Sequence, residues 1–305
     1  MKKILTILFA VLAIGAAQAK EIVTINYAFS QADSMANYTR TLVNEANNLQ
    51  DKYTFIFDNK PGAGGAIAVG WLNANPNNGI VMTSSAFFIR PNFYPNESYN
   101  ISDFKEILPE CNGPIAISSV KYKSWKDVPT DARLTIGTSG MGVTTHLVAT
   151  QIQTKYPGIE VIAFKSTTDA LLSMIGKNTD LSVGFLGEAE EWSKDGSKVK
   201  VHILGITGVK NVHGHPTLVD EGFPKALANL NAPHHLIVSV NVPDKKFKEW
   251  REILVRAATA KSVQNAYAVD SCEPLNQMPD NQIQPWFNLQ NTRWKSLTNG
   301  IKIAP

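Results

Sequence analysis

The chain has 305 residues, 29 of them Lys or Arg and 26 Asp or Glu, so its formal net charge at pH 7 is only +3. A balance this close to neutral argues against a nucleic-acid partner. A chain of this length can bury a large core and usually divides into two domains.

The first 19 residues have the three regions of a secretory signal peptide. Lys2 and Lys3 precede a run of about a dozen apolar residues, and Ala17-Gln18-Ala19 provides a small-residue cleavage site. The apolar run is too short for a comfortable membrane span. We therefore expect cleavage after Ala19 and a mature protein that begins at Lys20 in an exported, oxidising compartment.

Cys111 and Cys272 are the only cysteines in the sequence. In an exported protein, two cysteines are more often bridged than free. We expect a disulfide between them, and two unbridged core thiols are the alternative.

Short β-branched or aromatic runs alternate with longer amphipathic stretches. The predicted strands cover 21–29, 53–58, 79–85, 115–120, 134–139, 160–164, 180–185, 199–207 and 235–242. The predicted helices cover 32–49, 65–75, 145–156, 169–178 and 245–263, followed by a closing helix within 276–305. Strand followed by helix, repeated along the chain, predicts an α/β fold with parallel-rich sheets flanked by helices.

Four strand-to-helix junctions are rich in glycine or hydroxyl residues. The first is the turn 61–65, Pro-Gly-Ala-Gly-Gly, where glycine permits positive φ and close approach to the main chain. The others lie at 83–91, 137–147 and 164–172. Helix N-termini favour anions, and open α/β sheets bind ligands outside the carboxyl ends of their strands. The four junctions together predict an anion-binding cleft, although ordinary N-capping is the alternative at each one.

These junctions lie in segments that resemble the Bug-type periplasmic solute receptors, the substrate-binding proteins of tripartite tricarboxylate transporters. The matching segments are 59–72, 136–151, 164–185 and 201–224, in the family's order. The resemblance implies a two-lobe clamshell of the type II-like periplasmic binding protein fold. One lobe would contain 20–121 and 242–305, and the other 122–241.

The resemblance also implies a function without catalysis and without a cofactor. Such a receptor, expected to be a monomer, closes on a small organic carboxylate: a di- or tricarboxylate, an aromatic acid or an amino acid. It then delivers the solute to membrane permease subunits. A receptor that serves a two-component sensor is the alternative with the same fold.

Carried onto this chain, the family's binding groups are mainly main-chain N–H groups and hydroxyls. The positions are Gly62, Ala63, Gly64, Gly65, Ser84, Ser85, Ser139, Gly140, Gly142, Thr144 and Thr145.

The sequence departs from the family in the first loop and after the strand at 180–185. The first loop offers Ser30, Gln31, Asp33 and Ser34 as candidate ligand contacts. Gly184 stands where the family has an aspartate, so the ligand could be more apolar or aromatic than citrate. Lys165 could either reach an anionic ligand or cap its own strand.

One further pattern suggests catalysis by a serine hydrolase, which we consider less favoured than ligand binding. Ser139 lies in a Gly-Thr-Ser-Gly-Met-Gly segment similar to a hydrolase elbow, but that motif requires glycine at Met141. His146 also lies too close in sequence to be the usual triad base, so an exported esterase is a minor alternative.

Two histidine pairs could suggest a metal site, His213 with His215 and His234 with His235. No acidic or cysteine ligand stands at a supporting spacing in the sequence. We predict no metal site and interpret these histidines as solvated loop residues.

Overall fold

The computed structural model describes residues 19–194, 199–269 and 271–301. Apart from Ala19, the predicted signal peptide lies outside the described residues. No helix within these ranges is both long enough and apolar enough to cross a bilayer.

Two β-sheets form the framework of the described chain. The strands are β1 (Glu21–Tyr27), β2 (Tyr53–Asn59), β3 (Gly79–Ser84), β4 (Phe104–Gly113), β5 (Ile115–Ser119), β6 (Leu134–Thr138), β7 (Ile159–Ala163), β8 (Leu181–Phe185), β9 (His202–Ile206), β10 (Ala232–Ser239) and β11 (Glu273–Pro274). The spatial order is β11-β4-β10-β3-β1-β2 in the first sheet and β7-β6-β8-β5-β9 in the second.

Helices flank the sheets. Those within the described residues are α1 (Ser34–Asn48), α2 (Ala66–Ala74), α3 (Ala86–Ile89), α4 (Thr144–Gln153), α5 (Thr167–Ile175), α6 (Leu186–Ser193), α7 (Asp244–Ala258), α8 (Lys261–Val269) and α9 (Asp280–Thr298). The predicted α/β fold is confirmed, and each sheet proves to be mixed. Strands β1, β2 and β3 pair in parallel, as do β6, β7 and β8, whereas β4, β5, β9 and β10 pair antiparallel to their neighbours.

The chain changes sheets twice, and the two crossings lie side by side. It leaves the first sheet at Pro114, between β4 and β5, and returns between β9 and β10. The N–H of Ile115 donates to Thr207 Oγ1 at 2.8 Å, and that hydroxyl donates to Asn231 Oδ1 at 2.8 Å. The lobe boundaries after residues 121 and 241 stay a prediction. Because β5 already belongs to the second sheet and β10 already belongs to the first, the chain changes sheets before each of these two residues.

Strand β4 was not predicted from the sequence. Its segment contains Pro109 and two carboxyl residues, Glu106 and Glu110, which are typical of exposed or irregular chain. Both carboxyl side chains are nevertheless buried, and the pairing of β4 with β10 contains register shifts. The predicted helix 245–263 is also divided, because α7 ends at Ala258 and α8 begins at Lys261.

A buried polar cluster connects β4 with two helices. The hydroxyls of Tyr38 on α1 and Tyr267 on α8 both donate to Glu110 Oε2. Burial raises the pKa of Glu110 to about 8, although the two tyrosine hydrogen bonds act to lower it. Next to this cluster, Cys111 and Cys272 form a disulfide with their Cα atoms 5.6 Å apart.

The raised pKa of Glu110 predicts a pH-dependent stability. Between about pH 4.5 and 8 the folded protein holds the Glu110 proton more tightly than the unfolded chain does. The free energy of unfolding must therefore fall as pH rises through this window. Glu110→Gln, which keeps the neutral shape, should reduce that slope in urea titrations between pH 5 and 8.

The exposed Glu252→Gln is the matched control and should leave the slope unchanged. Equal slopes for wild type and Glu110→Gln would contradict the assignment.

Candidate functional site

A cavity of about 20 Å³ lies between the two sheets, with room for roughly one water molecule. Its wall on the side of the first sheet contains Tyr27, Phe29, Asp33, Ser84, Ala232 and His234. The opposite wall includes Ile115, Ser139, Thr144, Thr145, Thr167 and Phe185. The cavity therefore lies at the carboxyl ends of β1, β3, β6 and β8 and at the starts of the antiparallel strands β5 and β10.

Four helices begin at this cavity. Asp33 directly precedes α1, Phe185 directly precedes α6, Thr144 and Thr145 open α4, and Thr167 opens α5. The first turn of each helix presents N–H groups and a partial positive charge. In the part of the chain that the structure describes, no Lys or Arg lines the cavity. Any anion here would be held by helix N-termini and hydroxyls instead of by ion pairs.

Five of the predicted binding residues line the cavity: Asp33, Ser84, Ser139, Thr144 and Thr145. The others lie outside its lining: Ser30, Gln31, Ser34, Gly62, Ala63, Gly64, Gly65, Ser85, Gly140, Gly142, Lys165 and Gly184. Of these, Gln31, Ala63 and Lys165 are exposed to solvent.

Some predicted anion donors are bonded within their own loop. The N–H of Ser139 donates to Thr145 Oγ1 at 3.0 Å, and the N–H of Gly142 donates to His146 Nδ1 at 3.2 Å. These two amides cannot serve an anion without first breaking the loop's own hydrogen bonds. The same contacts argue against the esterase interpretation, since Ser139 Oγ lies 2.9 Å from Thr145 Oγ1 and His146 turns Nδ1 to an amide.

The glycine turn is explained by contact between the lobes. Gly62, Gly64 and Gly65 have φ of 125°, 57° and 95°, and Ala63 has φ of 46°. A Cβ atom at Gly64 would lie 2.9 Å from Val143 Cγ1, which belongs to the opposite lobe. Glycine thus allows the turn both its left-handed backbone and its close approach to the loop before α4.

Direct hydrogen bonds join the two lobes beside the cavity. Ser85 Oγ and Thr144 Oγ1 are hydrogen-bonded, and both residues are buried. Arg90 Nη1 donates to the carbonyl of Met141 at 3.4 Å, and Arg90 Nε pairs with Glu97 Oε2 at 2.7 Å. Arg90 is therefore already engaged by a carboxylate of its own lobe.

Asp33 forms the acidic part of the site and is only 5% exposed. Tyr27 donates to Asp33 Oδ2 at 3.1 Å, and Thr168 Oγ1, from the opposite lobe, lies 3.0 Å from Asp33 Oδ1. The same Thr168 hydroxyl lies 3.0 Å from Glu188 Oε1 on α6. Burial and, to a smaller extent, the charge of Glu188 raise the pKa of Asp33 to about 7.

His234 is a buried residue of the cavity wall, which corrects the interpretation of His234 and His235 as solvated loop residues. Both lie in strand β10, where His234 is 2% exposed and His235 is 0% exposed. Burial lowers the pKa of His234 to about 3, so its ring is neutral at physiological pH. His235 Nδ1 pairs with the buried Glu106 Oε2 at 2.7 Å.

The other two histidines meet an acid that sequence spacing did not indicate. Glu190 Oε1, on α6, lies 2.9 Å from His213 Nδ1 and 3.2 Å from His215 Nε2. Within the described residues, no group of three or more His, Cys, Asp or Glu side chains is arranged to hold a metal ion.

Sequence reasoning missed five polar residues at or beside the cavity: Tyr27, Thr167, Thr168, Glu188 and His234. Thr167 and Thr168 belong to the predicted junction 164–172, so a closer reading of that junction could have included them. His234 directly precedes the strand predicted from residue 235. Glu188 had a weaker signal, as an acid shortly after a predicted strand end.

Comparison with known proteins identifies relatives of this fold. A family model described as "Tripartite tricarboxylate transporter family receptor" matches residues 39–302. The periplasmic binding protein BugD superimposes with a TM-score of 0.81 at 20% identity, covering 91% of this chain and 96% of that chain. A search of curated proteins finds no match.

Two of the similar solved structures contain bound carboxylates. Rpa4515 of R. palustris, with adipate, has a TM-score of 0.80 at 17% identity and covers 92% of this chain and 97% of that chain. MatC (Rpa3494) from Rhodopseudomonas palustris, with bound malate, has a TM-score of 0.78 at 16% identity and covers 92% and 99%.

The contact between Gly64 and Val143 predicts an effect on lobe closure. Gly64→Ala should hinder the closed arrangement, because the added Cβ would lie too close to Val143 of the opposite lobe. Alanine would also be strained at the positive φ of this position. Gly214→Ala is the matched control, since Gly214 also has positive φ but has no atom within 4 Å of an added Cβ. In small-angle scattering, only Gly64→Ala should increase the radius of gyration.

Both variants should lose about 1 kcal/mol of folding stability through backbone strain. Equal scattering profiles for the two variants would contradict the role assigned to the glycine turn.

Proposed function

Because this chain belongs to the tripartite tricarboxylate transporter receptor family, we propose that it captures a small organic carboxylate between its two lobes. The family is one of solute-binding receptors and not of enzymes, and its solved relatives are periplasmic binding proteins. We place the mature protein in the periplasm, where it would deliver its solute to membrane permease subunits.

The observation that carries this proposal is the convergence of four helix N-termini on one interlobe cavity. Thr144 and Thr145 of α4 and Thr167 of α5 line the cavity together with Ser84 and Ser139. Hydrogen bonds from amides and hydroxyls to a carboxylate are charge-assisted and stronger than those between neutral groups. Several such bonds could provide the roughly −8 kcal/mol that micromolar affinity requires.

The small volume of the cavity supports capture by opening and closing. About 20 Å³ is far below the roughly 300 Å³ of the smallest usual ligand sites, so a solute can enter only when the lobes separate. The hydrogen bond between Ser85 and Thr144 would then be exchanged for bonds to the solute. A ligand shifts this equilibrium only by its preference for one arrangement.

The carboxylates found in related structures support the choice of solute class. Adipate and malate are bound by proteins with the same fold at 17% and 16% identity. Both are small dicarboxylates of a kind that helix N-termini and hydroxyls can hold.

A thermal-shift panel tests the proposal directly. Mature protein should be stabilised by at least one of malate, succinate, adipate, citrate, benzoate, aspartate or glutamate. At about one hundred times the dissociation constant, the stabilisation should reach about 2.7 kcal/mol. The matched alcohols and amides without a carboxylate are the controls and should give no shift. If none of the acids stabilises the protein, the proposal fails.

A further inference from the structure

Two carboxyl groups from different lobes meet across one hydroxyl. Thr168 Oγ1 lies 3.0 Å from Asp33 Oδ1 and 3.0 Å from Glu188 Oε1. A threonine hydroxyl has one hydrogen, so it can donate to only one of these oxygens. The second contact is a hydrogen bond only if the other carboxyl group donates its own proton to Thr168. The pair therefore holds one proton between the lobes in this closed arrangement.

Among the described residues, no side chain that lines the cavity has a fixed positive charge that could replace this proton. Its lining includes neither Lys nor Arg, and its histidine, His234, is neutral because its pKa is about 3. Tyr27, the other titratable residue of the wall, acts as a neutral donor to Asp33. A purely anionic solute beside Asp33 would thus add negative charge to a site that has no cation to balance it.

Two other side chains of the same cavity have hydrogen-bonding capacity to spare. Thr167 Oγ1 and His234 Nδ1 are buried polar atoms with no hydrogen-bond partner among the described residues. Thr167 is 3% exposed and His234 is 2% exposed. Buried polar atoms without partners are costly, and those in a cavity wall can be satisfied by a bound molecule.

We propose that the solute has an ammonium group beside its carboxylate, and that this ammonium takes the place of the shared proton at Asp33 and Glu188. The inference rests on the proposed function, since it concerns the carboxylate bound in that same cavity. An ammonium brings three N–H donors and one positive charge, so both carboxyl groups can be ionised around it. The carboxylate of the solute would then lie toward Thr144 and Thr145 at the start of α4. The ligand class is that of amino carboxylates, in preference to plain di- and tricarboxylates.

Matched acids that differ only at the ammonium position test this inference. Aspartate and malate have the same carbon skeleton and two carboxylates, and differ by ammonium against hydroxyl. A second pair, 2-aminoadipate and adipate, covers longer solutes, and alanine and propionate cover shorter ones. In calorimetric titrations of the mature protein, the amino acid of at least one pair should bind about tenfold more tightly than its partner, or better, as a desolvated charge-assisted contact allows.

Variants of Asp33 and Glu188 test whether these two carboxyl groups cause the preference for the amino acid. Asp33→Asn and Glu188→Gln should each abolish the preference for the amino acid while the partner acid still binds. Glu191→Gln removes an exposed carboxylate from the same helix, α6, and should retain the preference. Thermal unfolding of all three variants checks that the fold is intact.

Proton counting provides a readout that a merely structural role would not change. Titrations at pH 7 in two buffers of different ionisation enthalpy give the number of protons exchanged on binding. The complex with the plain acid should retain about one proton more than the complex with the amino acid, because the ammonium replaces that proton.

The possible outcomes separate the two proposals. If acids bind but no amino acid of a pair has an advantage, the ammonium site is overturned and the receptor proposal stands. An advantage that survives both Asp33→Asn and Glu188→Gln also overturns it. If no acid of any pair binds, this inference is overturned, and the receptor proposal fails with it only when the remaining acids of the thermal-shift panel also give no stabilisation.

Discussion

The closed arrangement of this protein depends on buried polar groups that must find partners across the interlobe gap. Asp33 on one side is satisfied by Thr168 on the other, and Ser85 is satisfied by Thr144. Each such bond contributes only about 1 kcal/mol net, whereas leaving one of these groups buried without a partner costs more. The lobes are therefore held by directional contacts that a solute can replace one for one, which suits a protein that must both close and reopen.

The sheet topology explains why these groups meet. The carboxyl ends of β1 and β3 in one sheet and of β6 and β8 in the other face the same gap, and the helices that follow them begin there. The two crossings between the sheets lie together, bonded through Thr207. A short double connection of this kind lets two lobes move relative to each other while their facing edges remain opposed.

The alternation of strands and helices was predictable, because hydrophobic periodicity is a local property of the sequence. Strand β4 was not, since Glu106 and Glu110 are charged types that only the finished sheet buries. The hydroxyl residues Ser139, Thr144 and Thr145 were predicted from the family resemblance, in a junction that loop composition also indicated, and they line the cavity. The partnership of Asp33 with Glu188 was not predictable, because it depends on how two helices distant in sequence face each other. The glycine turn was recognised, but the approach of Gly64 to Val143 across the gap is a contact that no local pattern encodes.

The position of β10 has a consequence for how the molecule is assembled. This strand lies between β3 and β4, so the first sheet cannot become continuous until residues 232–239 are present. Strands β5 to β9 are consecutive in the chain and need no later segment to complete their sheet. In a polypeptide that emerges N-terminus first, the middle of the sequence can thus reach its final form before the beginning does. The disulfide of Cys111 can form only after Cys272, 161 residues further on, has emerged. It is therefore the last of these assembly steps.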